Sequence, residues 1–109
     1  MATKLPRSVY DMVVAIVSDY GRMKKLLEKG SVTREQAVLF TRYISAVDDA
    51  LVAVCQGEDP HVYDLLRADI AERKGFENSH CLKYYSTRYM FETRKSDTVV
   101  LIARMLSLV

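Results

Sequence analysis

Two runs of apolar residues stepping by four and three dominate this chain and leave few folds open to it. Val9, Val13, Ile16, Tyr20, Met23 and Leu27 form the first run; Ala37, Phe40, Ile44, Val47, Leu51 and Val54 form the second. Residues at these steps return to one side of a 3.6-residue helix, so each run predicts a helix with one apolar stripe. The first should span residue 6 or 7 to 29. Pro6 suits a first-turn position, Lys24, Lys25 and Lys29 complement the helix dipole near its end, and Gly30 can end it in a left-handed conformation. Thr33 and Gln36 make a capping-box pattern that starts the second, with Val32 and Ala37 placed as a hydrophobic staple. With only the link 30–32 between them, the pair predicts an N-terminal antiparallel helical hairpin over 6–56.

Gln56-Gly57-Glu58 breaks the pattern and Asp59-Pro60 restarts it, Asp59 as N-cap and Pro60 as first helical residue. A third helix is expected to about Lys74, with Val62, Leu66, Ile70 and Ala71 inward and Gly75 as its stop. A short piece over 76–85 follows. A last long helix, capped by Ser86, then carries Phe91, Val99, Ile102, Met105 and Leu106 on its apolar face. No run alternates with period two before a hairpin turn. The expected fold is one all-α domain over 1–109, with a helix-turn-helix-like region at 59–109.

Length and composition fit a single globular core: the chain has 109 residues, half of them hydrophobic, with four Gly and two Pro. The formal charge of +2 is too small for the whole-protein field to drive nucleic-acid binding, so such binding needs local clustering. Two cysteines do not make a disulfide framework. The opening MATKLPRSVY lacks the apolar core of a secretion signal, and residues 98–109 are too short to span a bilayer. A cytoplasmic protein with no membrane partner is expected.

Charge clusters in the last third. Between Lys83 and Arg104 five cations face two anions, Glu92 and Asp97, with Tyr84, Tyr85, Tyr89 and Phe91 interleaved. The string IAERKGFENSHCLKYY places Ile70, Ala71, Gly75, Phe76, Cys81 and Tyr84 near the spacing of a compact helix-turn-helix, with Lys74 where an apolar residue is usual. That register makes 78–85 the second helix, offering Asn78, Ser79, His80 and Lys83. A second register starts the recognition helix at Ser86 and offers 87–95. It is preferred because the cations lie there, and Arg and Lys both neutralise phosphate. The expected DNA contacts are Lys83, Thr87, Arg88, Tyr89, Arg94 and Lys95. The tail VVLIARMLSLV is more apolar than one helix face requires: either it is central in the core, or it pairs with a second copy, in which case Val99, Ile102, Met105 and Leu106 are expected to join two copies into a homodimer.

The run YYSTRYMFETRKSDTVVLIARML resembles the C-terminal helix-turn-helix of small phage transcriptional regulators of the ArpU/RinA type. Ser86, Arg88, Tyr89, Arg94 and Lys95 stand where that family has a capped basic recognition helix. Leu101, Ile102, Ala103 and Leu106 stand where it has an apolar helix, and RYISAVDDAL at 42–51 resembles the helix before its DNA-binding module. The resemblance implies a prophage regulator of late or packaging genes that binds double-stranded DNA.

Other chemistries find less support. Cys55, His61, His80 and Cys81 lack the paired spacing of a zinc site. Asp48-Asp49 and His80-Cys81 are helical neighbours that face apart, so neither makes a catalytic pair, and the glycines form no phosphate loop. No enzyme activity, cofactor, metal or small-molecule substrate is expected. The competing reading is an all-helical protein-interaction or assembly module without nucleic acid. The two readings separate on geometry: DNA binding needs Arg88, Arg94 and Lys95 on one exposed face with Glu92 turned away, whereas salt bridges to them from Glu92 and Asp97 favour the interaction module.

Overall fold

The computed structural model describes residues 5–109, so the leader reading of residues 1–4 lies outside the described residues. The chain is all-α: α1 (Arg7–Ser18), α2 (Tyr20–Lys29), α3 (Arg34–Val54), α4 (His61–Ala71) and α5 (Arg88–Met105), with a 3-10 turn at Phe76–Asn78. No described helix is long and apolar enough to cross a membrane.

The expected first helix is divided at Asp19. Ser18 Oγ lies 2.8 Å from the Val14 carbonyl oxygen, a back-bond that bends helices, and 3.2 Å from that of Ala71 on α4. Asp19 then takes φ −90°, ψ −2°. The break lets α1 pack on α4 and α5 while α2 turns to α3. The predicted stripe survives it: Val13, Tyr20 and Met23 are buried. Gly30, at φ 67°, ends α2, and the Ser31 N–H bonds the Leu26 carbonyl across it. At α3, Gln36 N donates to Thr33 Oγ1 at 3.1 Å and Thr33 N donates to Gln36 Oε1 at 3.0 Å, the expected capping box.

Asp59 caps α4 by accepting from His61 N at 2.9 Å. The helix stops at Ala71, short of the expected Lys74, and Gly75 is not its stop. Arg73 takes the left-handed position at φ 55°, and Lys74 N reaches back to the Asp69 carbonyl at 2.9 Å. The Arg73 side chain ties this end to α1, 2.9 Å from Asp11 and over the Tyr10 ring at 5.6 Å. Thr87, rather than Ser86, caps α5: its Oγ1 accepts from Met90 N at 3.2 Å. The core gathers Val13 and Val17 of α1, Val47 and Leu51 of α3, Val62, Leu66 and Ile70 of α4, Tyr85, and Phe91, Val99 and Ile102 of α5. Every buried side-chain N or O atom among the described residues has a hydrogen-bond partner.

Candidate functional site

The predicted DNA-contacting residues lie around the start of α5, and their charges are largely spoken for. Arg88 Nη2 donates to Glu77 at 2.8 Å. Arg94 Nε donates to Glu58 at 2.8 Å. Glu58 holds the Arg94 guanidinium above its usual pKa, and burial, with Glu58 beside it, pushes the Tyr85 hydroxyl up strongly. Lys95 Nζ donates to the Lys74 carbonyl at 3.0 Å, lies 3.6 Å from Glu92 and sits 5.2 Å from the Phe91 ring centre; its side chain is only 15% exposed. Glu92 stands one turn from both Arg88 and Lys95, on the side they share. Arg94 points instead to the α3–α4 connection. The three cations therefore do not form one free face. Lys83 and Thr87 are exposed, and Tyr89 is 79% exposed.

The first register fails on the backbone. The stretch 78–85 holds turns, not a second helix, and 72–87 is far longer than a helix-turn-helix turn. Asp69, fully buried on α4, organises it: Ser79 Oγ donates to Asp69 Oδ2 at 2.6 Å and His80 N donates to Oδ1 at 2.9 Å. Cys81 N donates to Ser79 Oγ at 2.8 Å. Ser79 and His80 thus hold the loop against α4. A buried Asp was not visible in the sequence, where Asp69 reads as one more polar residue of an amphipathic helix.

The expected dimer seam is also corrected. Val99, Ile102 and Leu106 are buried in the protein's own core; of the four, Met105 alone is exposed, at 40%. Over Arg88–Met105 only Arg88, Tyr89, Arg104 and Met105 are exposed. The tail is apolar because α1, α3 and α4 all pack against α5.

The remaining residues singled out in the sequence are dispersed. Cys55 and Cys81 are buried free thiols. Burial raises both pKa values, Cys81 to about 12 with Asp69 contributing. His61 pairs with Asp59 at 2.8 Å and His80 with Glu72 at 3.2 Å. Among the described residues no three His, Cys, Asp or Glu side chains converge as a metal site. Asp48 accepts from Tyr20 Oη at 2.7 Å, and burial together with that carboxylate pushes the Tyr20 hydroxyl up to about 12. Asp49 faces solvent.

One open groove of about 680 Å³ runs between α1 and α5, with Tyr10, Val99 and Val100 on its walls and Arg7, Arg73 and Lys95 at its rim. Its cations are engaged too. Asp11 lies 3.4 Å from Arg7 and 2.9 Å from Arg73, and Arg73 foremost holds the Asp11 carboxyl below its usual pKa. These residues come from distant segments, so no sequence motif announced the groove. Cations without an ion pair among the described residues are Lys83 in the loop before α5, Lys24, Lys25 and Lys29 on α2, and Arg34 and Arg42 on α3.

No protein-family model, curated protein or solved structure matches this chain.

Proposed function

We propose that this chain is an all-helical protein-interaction module of the cytoplasm, working through its outer helices rather than reading DNA with α5. One observation carries the reading: Arg88, Arg94 and Lys95 are each held by a carboxylate or carbonyl of the protein itself. Giving Arg94 or Lys95 to a phosphate would strip partly buried groups of their partners, which costs more than an exposed pair returns. The same contacts make these two cations structural. Arg94→Ala should lower stability by about 1–3 kcal/mol, because Glu58 loses its partner in a partly buried position. Arg88→Ala, an exposed pair, should cost less than about 0.5 kcal/mol.

Fluorescence anisotropy with labelled duplex DNA at low and high salt tests the reading on the wild type and on Arg88→Ala/Arg94→Ala/Lys95→Ala. The expected result is no salt-sensitive saturation by the folded wild type. Micromolar binding that weakens with salt, and that is lost in a triple variant still folded by circular dichroism, would overturn it.

A second reading keeps DNA as partner without the middle of α5: Lys83, Thr87, Arg88 and Tyr89 remain exposed around the start of α5. The Arg88–Glu77 pair is exposed on both sides and can open to a phosphate at little cost. In that case Lys83→Ala/Arg88→Ala alone abolishes the anisotropy change, and the resemblance to phage regulators of the ArpU/RinA type gains weight.

A further inference from the structure

The outer face of α3 has a symmetry of its own. Val38, Arg42, Ser45, Asp49 and Val52 step by four, three, four and three, so they share one side of the helix, and all five are exposed. Val38 at 68% and Val52 at 52% are among the most exposed aliphatic side chains of the protein. Neither Arg42 nor Asp49 has an ion pair among the described residues, and seven residues, about 10 Å of helix, keep them from reaching each other. Ser45 stands at the centre, with Val38 and Val52 equally far on either side. Opposite charges stand between the centre and each valine.

We infer that this face docks on the same face of a second copy, α3 against α3 in antiparallel orientation about a two-fold axis at Ser45. The proposal rests on the interaction-module reading above and names its partner. In this arrangement Val38 lies level with the partner's Val52. Arg42 lies within one residue, about 1.5 Å of rise, of the partner's Asp49. The two-fold repeats both contacts, as an isologous interface requires. Charge selects the orientation: parallel pairing would set Arg42 against Arg42 and Asp49 against Asp49. Small side chains at the centre, Ser45 with Thr41 beside it, let the two helices approach closely. No other element has to move, because the face is already bare.

Charge reversal tests this directly by analytical ultracentrifugation from about 5 to about 500 µM, where interfaces of this small size associate. The wild type is expected to dimerise within that range. Arg42→Asp and Asp49→Arg each place like charges together twice per dimer, so each should weaken association by about tenfold or more. The double variant Arg42→Asp/Asp49→Arg restores both pairs with their signs exchanged and should recover the dimer. Both residues are exposed, and unchanged far-UV circular dichroism confirms the fold. A wild type that stays monomeric overturns the proposal, as does a dimer indifferent to the single reversals or one the double reversal fails to restore. None of these outcomes touches the interaction-module reading, which falls only to salt-sensitive DNA binding in the anisotropy experiment.

Discussion

Removing the Asp69 carboxylate should undo the loop that follows α4. Asp69 is fully buried, and it accepts from Ser79 Oγ at 2.6 Å and from His80 N at 2.9 Å. Asp69→Ala leaves the His80 N–H without its acceptor in a part-buried position, at about 1–3 kcal/mol. The Ser79 hydroxyl loses its own acceptor, at about 1 kcal/mol more, and relief of the buried carboxylate's desolvation offsets part of the sum. The net expectation is a loss of about 2–4 kcal/mol, a large share of the roughly 5–15 kcal/mol typical of a domain. Asp69→Asn keeps an oxygen for His80 N and can donate to Ser79 Oγ, so it should cost about half as much. Urea unfolding followed by circular dichroism measures both. A cycle with Ser79→Ala should return a coupling of about 1 kcal/mol or more, because the two side chains act as a unit. A local readout accompanies it: Cys81, whose N–H bonds Ser79 Oγ, should react with a thiol reagent faster in Asp69→Ala than in wild type. An Asp69→Ala protein within about 0.5 kcal/mol of wild type would refute the reasoning, since that is the range of ordinary surface changes.

Two further outcomes follow from the same structure. Ser107 sits left-handed at φ 57° after α5, with Leu108 N bonding the Ala103 carbonyl at 2.8 Å, so Ser107→Gly should raise stability by about 0.5–1 kcal/mol and lift the thermal midpoint. Stability should also fall on the alkaline side: Cys81 and Tyr20 ionise near 9.0 and 10.0 when unfolded but are pushed to about 12 in the fold, so the unfolded chain releases protons first from pH 9 upward. Thermal melts between pH 8 and 11 check the sign, and Cys81→Ala should flatten the lower part of that decline.

What the sequence disclosed was what neighbours in the chain decide. The Thr33–Gln36 box, the Asp59 cap and the Gly30 stop each depend on residues within one turn, and all three form as expected. The misses depend on partners far along the chain. Ser18 is tied to Ala71, Arg73 to Asp11, and Arg94 to Glu58, and none of these separations leaves a periodic trace. Arg73 in a left-handed position runs against the preference for Gly there, so Gly75 looked like the better stop. The cap at Thr87 rather than Ser86 is a choice between adjacent hydroxyl residues that backbone dihedrals decide. Of the predicted site, exposure of Lys83, Thr87, Arg88 and Tyr89 was legible; the engagement of Arg94 and Lys95 was not.

The tail of α5 shows why surplus hydrophobicity misled. A helix apolar on more than one side reads as a peripheral helix awaiting a partner, or as a central one already covered. Here the second holds: Phe91, Val99, Ile102, Ala103 and Leu106 are buried among α1, α3 and α4. A central helix can present only its ends, so α5 has its first turn and its last to offer, and its middle cations become structural. On the interaction-module reading proposed above, the broad surface left for a partner lies on the helices that keep a bare side. Among them α3 is the longest, and its exposed side carries unpaired charges of both signs flanked by valines. The feature that made α5 look functional, its mixture of cations and apolar residues, is what a helix at the centre of a small bundle needs.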